Sequence, residues 1–260
     1  MDLQIKDKVI LITGGAKGIG AAIVRACAAE GALPVIVDRD AGAGEQLRSE
    51  LKQNGLRSEL IAEDLLAANS CSRIVEQTLR KCGCLDVLVN NAGVNDKVGL
   101  EQGSPQTFVA SLERNLFHFY YMAHFALPHL KRSRGSIVNI ASKTALTGQG
   151  GTSGYAASKG AILALTREWA VELLDSGIRV NAVVPAEVMT PLYRDWLKTF
   201  PNPEETLKKI LSKIPLEKRM TTPEEIAATV VFLLSTKSSH TTGQHIVVDG
   251  GYMHLDRALT

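Results

Sequence analysis

Tyr155 and Lys159 stand four residues apart in Gly154-Tyr155-Ala156-Ala157-Ser158-Lys159. On a helix that spacing puts both side chains on one face. A phenol titrates near pH 10 and is a poor base at neutrality, but a neighbouring ammonium stabilises the phenolate. Lowering the phenol by about 2–3 units asks for roughly 3–4 kcal/mol of differential interaction. A tyrosine so placed can exchange a proton with a substrate hydroxyl while a hydride moves to a nicotinamide. Ser142 ends Ile137-Val138-Asn139-Ile140-Ala141-Ser142, 13 residues before Tyr155. Its hydroxyl can orient the substrate oxygen, or it is an ordinary turn serine after a strand. Asn115, in Glu113-Arg114-Asn115-Leu116, is a poor helix-interior residue. It is expected to mark a local break whose freed carbonyl holds a water.

These residues need a scaffold. Short β-branched runs ending at Gly, Asp or Asn alternate with stretches of helical period. The strand candidates are Val9–Ile12, Pro34–Asp38, Glu59–Glu63, Val87–Asn90, Ser136–Ile140, Arg179–Val184 and Ile246–Val248. The helix candidates are Gly18–Ala29, Gly44–Asn54, Ser70–Cys82, Gln106–Lys131, Gly154–Ser176 and Pro223–Leu234. Strands without polar alternation, separated by helices, indicate a parallel sheet covered on both faces. The expected architecture is α/β: one doubly wound Rossmann domain over residues 1–260, with a seven-stranded parallel sheet and helices on both faces. Residues 189–214, rich in proline, read as a mobile insertion beside the substrate, and 252–260 as a C-terminal tail.

Ligands of such folds lie beyond the C-terminal strand ends. The first strand runs into Thr13-Gly14-Gly15-Ala16-Lys17-Gly18-Ile19-Gly20 and opens a helix. Glycines there let the backbone approach a pyrophosphate, and the helix N-terminus offers it N–H groups. Gly14, Lys17, Gly18, Ile19 and Gly20 are therefore the phosphate loop. Asp38 follows Gly20 by 18 residues, the position of an acid that holds the adenosine ribose hydroxyls. It repels a 2′-phosphate and favours NAD. Arg39 and Lys17 could reach that phosphate, so NADP stays possible. Asp64 and Leu65 either clasp adenine, or Asp64 caps the next helix. Asn91, Ala92 and Gly93, in Asn90-Asn91-Ala92-Gly93, pin neighbouring strand ends and leave room for adenosine.

Together these segments resemble the short-chain dehydrogenase/reductase family from about Lys8 to Gly251. They include Thr13 to Gly20, Asn-Asn-Ala-Gly, Asn115, Ser142, Tyr155-x-x-x-Lys159 and the closing Val248-Asp249-Gly250-Gly251. The resemblance implies a catalytic tetrad of Asn115, Ser142, Tyr155 and Lys159, with Lys159 also on the nicotinamide ribose. It further implies that Pro185, Val188 and Thr190 hold the nicotinamide end, and that the chain is a homotetramer built on the long helices and the last strand. The family's Pro-Gly after strand six is Pro185-Ala186-Glu187 here, which gives up backbone freedom.

Asn91–Asp96, Ser142–Gly150, Pro185–Trp196 and Gly251–Leu259 resemble the L-fucose dehydrogenase subgroup. That implies oxidation of the C1 hemiacetal of L-fucose, L-galactose or D-arabinose to the aldonolactone. A sugar needs fixed polar partners, and Asn95, Asp96, Ser142, Lys143, Gln149, Tyr155, Glu187 and Trp196 follow strand ends or fall in the insertion. Trp196 is expected to face the pyranose ring. Two rivals stand beside this reading. One is a 17β-hydroxysteroid dehydrogenase or 3-oxoacyl reductase, whose site would be apolar. The other is a non-catalytic nucleotide sensor, which the presence of Tyr155 and Lys159 disfavours.

Composition narrows the classes. Hydrophobic residues make 45% of 260, enough for one sizeable core. A net charge of +2 is low for a nucleic-acid-binding domain, so no such partner is expected. No apolar run approaches the roughly 18–20 residues of a membrane span. Val9–Thr13 reads as a buried strand and not as the core of a signal peptide. The four cysteines form no disulfide framework, and Cys82-Gly83-Cys84 is too tight for a metal or redox pair, so no metal is expected. The expected compartment is the reducing cytoplasm.

Overall fold

A computed structural model describes residues 2–255. Seven strands form one parallel sheet: β1 Val9–Thr13, β2 Leu33–Asp38, β3 Glu59–Ala62, β4 Val87–Asn90, β5 Ser136–Ile140, β6 Arg179–Pro185 and β7 His245–Val248. Their order is β3-β2-β1-β4-β5-β6-β7, with every neighbouring pair parallel. Strand order reverses between β1 and β4, which opens a crevice at their C-terminal ends.

Alternate residues of each strand point to opposite faces, and the core follows that period. Ile10, Ile12, Ile36 and Val138 pack under helices α1 Gly18–Ala29, α2 Ala41–Gln53 and α9 Pro223–Leu234. Val9, Leu11, Val35 and Ile137 pack under α3 Ala68–Cys82, α5 His118–Ser133 and α6 Ser153–Glu172. Both faces of the central strands are buried, which is why they show no polar alternation. Thr222 caps α9 and Glu225 returns the bond, a capping box with Pro223 in the first turn.

The expected helix Gln106–Lys131 is three pieces. α4 Pro105–Leu112 leads into a π turn at Glu113–Phe117, and α5 follows. The expected break at Asn115 is thus a widening of the helix without interruption. The expected helix Gly154–Ser176 closes at Glu172, and a 3-10 turn covers Leu174–Ser176. Residues 189–214 fold as two short helices, α7 Pro191–Leu197 and α8 Pro203–Ser212, each with proline at its start. Cys82 ends α3 and Gly83 is its left-handed cap (φ 81°), so Cys82 and Cys84 belong to a helix-to-strand junction. Among the described residues no group of His, Cys, Asp and Glu could hold a metal ion. Nor is any helix there long and apolar enough to cross a membrane.

Candidate active site

The crevice at the strand ends is a cavity of about 420 Å³. Gly14, Lys17, Gly18, Ile19, Gly20, Asp38, Arg39, Asp64, Leu65, Asn91, Ala92, Gly93, Tyr155, Lys159, Pro185, Val188 and Thr190 all line it, and so does Ser142.

The glycine loop is built for close approach. Gly14 has φ 62°, and a Cβ there would meet the Ala92 backbone at 2.9 Å. At Gly20 a Cβ would lie 2.0 Å from the Gly14 carbonyl oxygen. Asn91 fastens this loop to β4. Its Nδ2 donates to the carbonyls of Thr13 and Gly14 at 2.9 and 3.1 Å. No side chain caps α1, and its first turn holds no acid. Its leading N–H groups and positive dipole end are left to a ligand, which fits a pyrophosphate.

Asp38 is fixed from two sides, accepting from the backbone N–H of Ala16 at 3.1 Å and of Asp40 at 3.0 Å. Lys17 does not reach toward the cavity unpaired. Its ammonium donates to Asp40 at 2.5 Å, and that bond raises its pKa above the ordinary lysine value. Arg39 is exposed at the rim. Asp64 is not the cap of α3, which starts at Ala68 after Ala67. Its carboxylate accepts from Leu66 N–H at 3.0 Å and closes a turn on the cavity wall.

At the other end, Asn115 is fully buried in the π turn. Its amide donates to the Ser111 carbonyl at 3.1 Å and accepts from Val94 N–H at 2.7 Å. Gly93 leaves the space between Asn115 and Lys159. A Cβ there would stand 3.3 Å from Asn115 Oδ1 and 3.4 Å from Lys159 Nζ. Lys159 donates to the Ile140 carbonyl at 2.8 Å, with Nζ 5.5 Å from the centre of the Tyr155 ring. Burial lowers its pKa to about 7. Burial also pushes the Tyr155 phenol up to about 12, against a hydrogen bond with Ser142 that lowers it. The expected depression of the phenol by Lys159 is therefore not a property of the protein alone. Burial raises its pKa, the Asp96 charge adds to the rise, and only the Ser142 hydrogen bond lowers it.

The sugar-binding expectations fare differently from the nucleotide ones. Of the eight, only Ser142 and Tyr155 line the cavity. Asn95 accepts from Lys97 N–H at 3.2 Å and shapes its own turn. Asp96 takes the Ser111 hydroxyl at 2.8 Å and Arg114 at 2.9 Å, which ties its loop to α4 and the π turn. Gln149 is exposed. Lys143 and Glu187 form a largely buried ion pair with each other. Trp196 packs edge-to-face between Tyr193 and Phe200, each ring centre 4.9 Å away. Tyr193 holds the wall position expected of Trp196. Its signal in the sequence was its place three residues after Thr190, whose hydroxyl caps α7 by accepting from Tyr193 N–H at 3.2 Å. Arg114 and His118 were also missed. They are four apart, on one face of the π turn and α5, and both line the cavity. Ala186 needs no left-handed backbone, so replacing the expected glycine costs no strain there.

The family described as Enoyl-(Acyl carrier protein) reductase matches residues 14–253. The chain belongs to the short-chain dehydrogenase/reductase family. It is 39% identical to the L-fucose dehydrogenase of Mus musculus over 95% of this chain and 89% of that protein. It is 36% identical to the 3-oxoacyl-[acyl-carrier-protein] reductase FabG of Thermotoga maritima over 96% of this chain and 99% of that one. The crystal structure of Cj0485 dehydrogenase superimposes with a TM-score of 0.94 at 49% identity, covering 100% of this chain and 99% of that chain. Short-chain dehydrogenases use NAD(P), and this chain is an oxidoreductase of that family.

Proposed function

We propose that this short-chain dehydrogenase oxidises the C1 hemiacetal of an aldose, L-fucose or the related L-galactose or D-arabinose, to the aldonolactone with NAD. The observation that carries the chemistry is the convergence of Ser142, Tyr155 and Lys159 on one cavity with the glycine loop and Asp38. When bound, a nicotinamide cofactor supplies the hydride acceptor and, oxidised, a positive charge. Ser142 orients the hydroxyl at C1, and Tyr155 takes its proton as the C1 hydrogen departs. Lys159 holds the nicotinamide ribose, and Asn115 fixes the loop of Gly93 and Val94 and holds a relay water. Thr190, with Pro185 and Val188, seats the carboxamide end.

Support for a sugar comes from the phenol of Tyr193 at the cavity wall, the charged pair behind it and the likeness to L-fucose dehydrogenases. The FabG likeness and the matching family description favour a second reading, reduction of a 3-oxoacyl group. An NADH-release screen over aldoses, 17β-hydroxysteroids and 3-hydroxyacyl thioesters at slightly alkaline pH separates them. Aldose turnover is expected, and turnover of a steroid or thioester without any sugar reverses the assignment.

NAD is the expected cofactor because Asp38 is held rigidly at the end of β2 and Lys17 is engaged by Asp40. A carboxylate against a 2′-phosphate costs more than the exposed Arg39 returns. The native enzyme should prefer NAD over NADP by about tenfold or more in kcat/KM, a gap of about 1.4 kcal/mol. Asp38→Ser should erase that gap. A native preference for NADP contradicts the assignment. We further propose a cytoplasmic homotetramer built on the long helices and the last strand; Tyr120 of α5 and Val171 of α6 are exposed apolar side chains on those helices.

A further inference from the structure

Lys143 directly follows Ser142 at the end of β5. Its ammonium pairs with Glu187, two residues past the end of β6, and the two side chains are only 10% and 12% exposed. The second carboxylate oxygen of Glu187 accepts from the Tyr193 hydroxyl at 2.7 Å. Burial and the Glu187 charge both push the Tyr193 phenol up, so it stays protonated as the donor. Lys143 also lies 4.4 Å above the ring of Tyr252, in the segment after β7. One buried cation thereby joins the ends of three neighbouring strands.

Helix α7 is otherwise held by its Thr190 cap and by Trp196 packed between Tyr193 and Phe200. It is seven residues long, and Leu197 is its one buried side chain. A helix that short is not stable alone. The main-chain side of Glu187 is meanwhile pinned, its carbonyl accepting from Thr221 N–H at 3.1 Å. The carboxylate is thus a fixed post, and α7 hangs on it through Tyr193. Of these residues Tyr193 lines the cavity, whereas Lys143, Glu187 and Trp196 do not.

We infer that Lys143, Glu187 and Tyr193 form a latch that fixes α7 over the reacting end of the cavity, and that Tyr193 is the aromatic wall for the substrate. Glu187 is then a positioning residue that acts through Tyr193. Only the identity of the substrate rests on the aldose dehydrogenase reading. Breaking one side of a buried pair leaves the other charge uncompensated, so each partner is needed.

The test compares native enzyme with Glu187→Gln, Lys143→Met, Tyr193→Phe and the Glu187→Gln/Tyr193→Phe double variant. Hydrogen exchange of residues 191–197 is measured with NAD bound, and KM is measured for L-fucose and for NAD. Each single variant should speed exchange across α7 about tenfold, because local opening is what the latch opposes. Each should raise KM for the sugar about tenfold and move KM for NAD less than threefold. The double variant should be no worse than the worse single one, as expected of residues acting as one unit. Tyr193→Phe keeps the ring and removes only the hydroxyl, so it reads the latch even where a charge change unfolds the chain. Native exchange rates in Tyr193→Phe overturn the latch. A raised sugar KM in Glu187→Gln with a native one in Tyr193→Phe also overturns it, and makes Glu187 a direct contact. Absence of any sugar turnover by the native enzyme sinks the aldose assignment instead, and the exchange data still decide the latch.

Discussion

Tyr155→Phe should lower kcat by about 10³–10⁴ while the Kd for NAD moves less than twofold, since loss of a positioned proton acceptor is typically worth 10²–10⁴. The ring that packs beside Lys159 is retained, so the nucleotide wall keeps its shape. Only the oxygen that exchanges the proton is lost. Neither neighbour replaces it: Ser142 is a far weaker base, and Lys159 donates to the Ile140 carbonyl. Stopped-flow turnover and NAD titration by fluorescence check the two halves of the expectation, and near-native turnover removes Tyr155 from the chemistry. The same residue sets the pH profile. The protein's own groups leave the phenol near 12. The proposed oxidation uses the phenolate as base, so log kcat/KM should rise with pH with a slope near one. Saturation with oxidised cofactor should bring the apparent pKa down by at least about one unit, since a nearby positive charge favours the phenolate. A flat profile between pH 6 and 9 argues against Tyr155 as the base.

The second large effect is expected at Gly20. An Ala side chain there would stand 2.0 Å from the Gly14 carbonyl oxygen and 2.7 Å from Asn91 Nδ2. Both are fixed groups, one backbone and the other bonded to Thr13 and Gly14. Either the first turn of α1 moves away from the Gly14 carbonyl, or Asn91 moves and those two bonds are lost. Gly20→Ala should cost about 2–4 kcal/mol of stability, in the range of a lost buried bond network with overpacking. It should also lower Tm by about 5–15 °C, at roughly 2–4 °C per kcal/mol for a chain of this size. NAD affinity should fall about a hundredfold or more, because the leading N–H groups of α1 no longer converge on the pyrophosphate. Gly42→Ala is the control: its nearest neighbour is Asp40 Oδ1 at an ordinary 3.6 Å. Calorimetry and NAD titration on both variants check this. Native NAD affinity in Gly20→Ala shows that the loop does not grip the pyrophosphate as described.

The sequence carried most of the nucleotide end. Strand cores such as Val87–Asn90 and Ser136–Ile140 coincide with the expected ones, and so do α1 and α9. Each is written in local period and in the glycine, proline and threonine that end or cap it. Asp38 and the glycine loop lie near in sequence to the strands that aim them, so position along the chain fixed position in the crevice. At the substrate end this relation fails. Trp196 and Glu187 stand where a sugar-binding residue is plausible, yet Trp196 packs on Phe200 four residues on and Glu187 pairs with Lys143 from the end of β5. The phenol of Tyr155 shows the same limit. Spacing put Lys159 beside it, but the balance between a neighbouring charge and desolvation depends on everything that encloses both. Local periodicity and turn chemistry therefore determined the fold and the nucleotide crevice, because they act through neighbours in the chain. Only the tertiary structure decided which side chains line the cavity and how the phenol titrates, because those depend on the segments that enclose them.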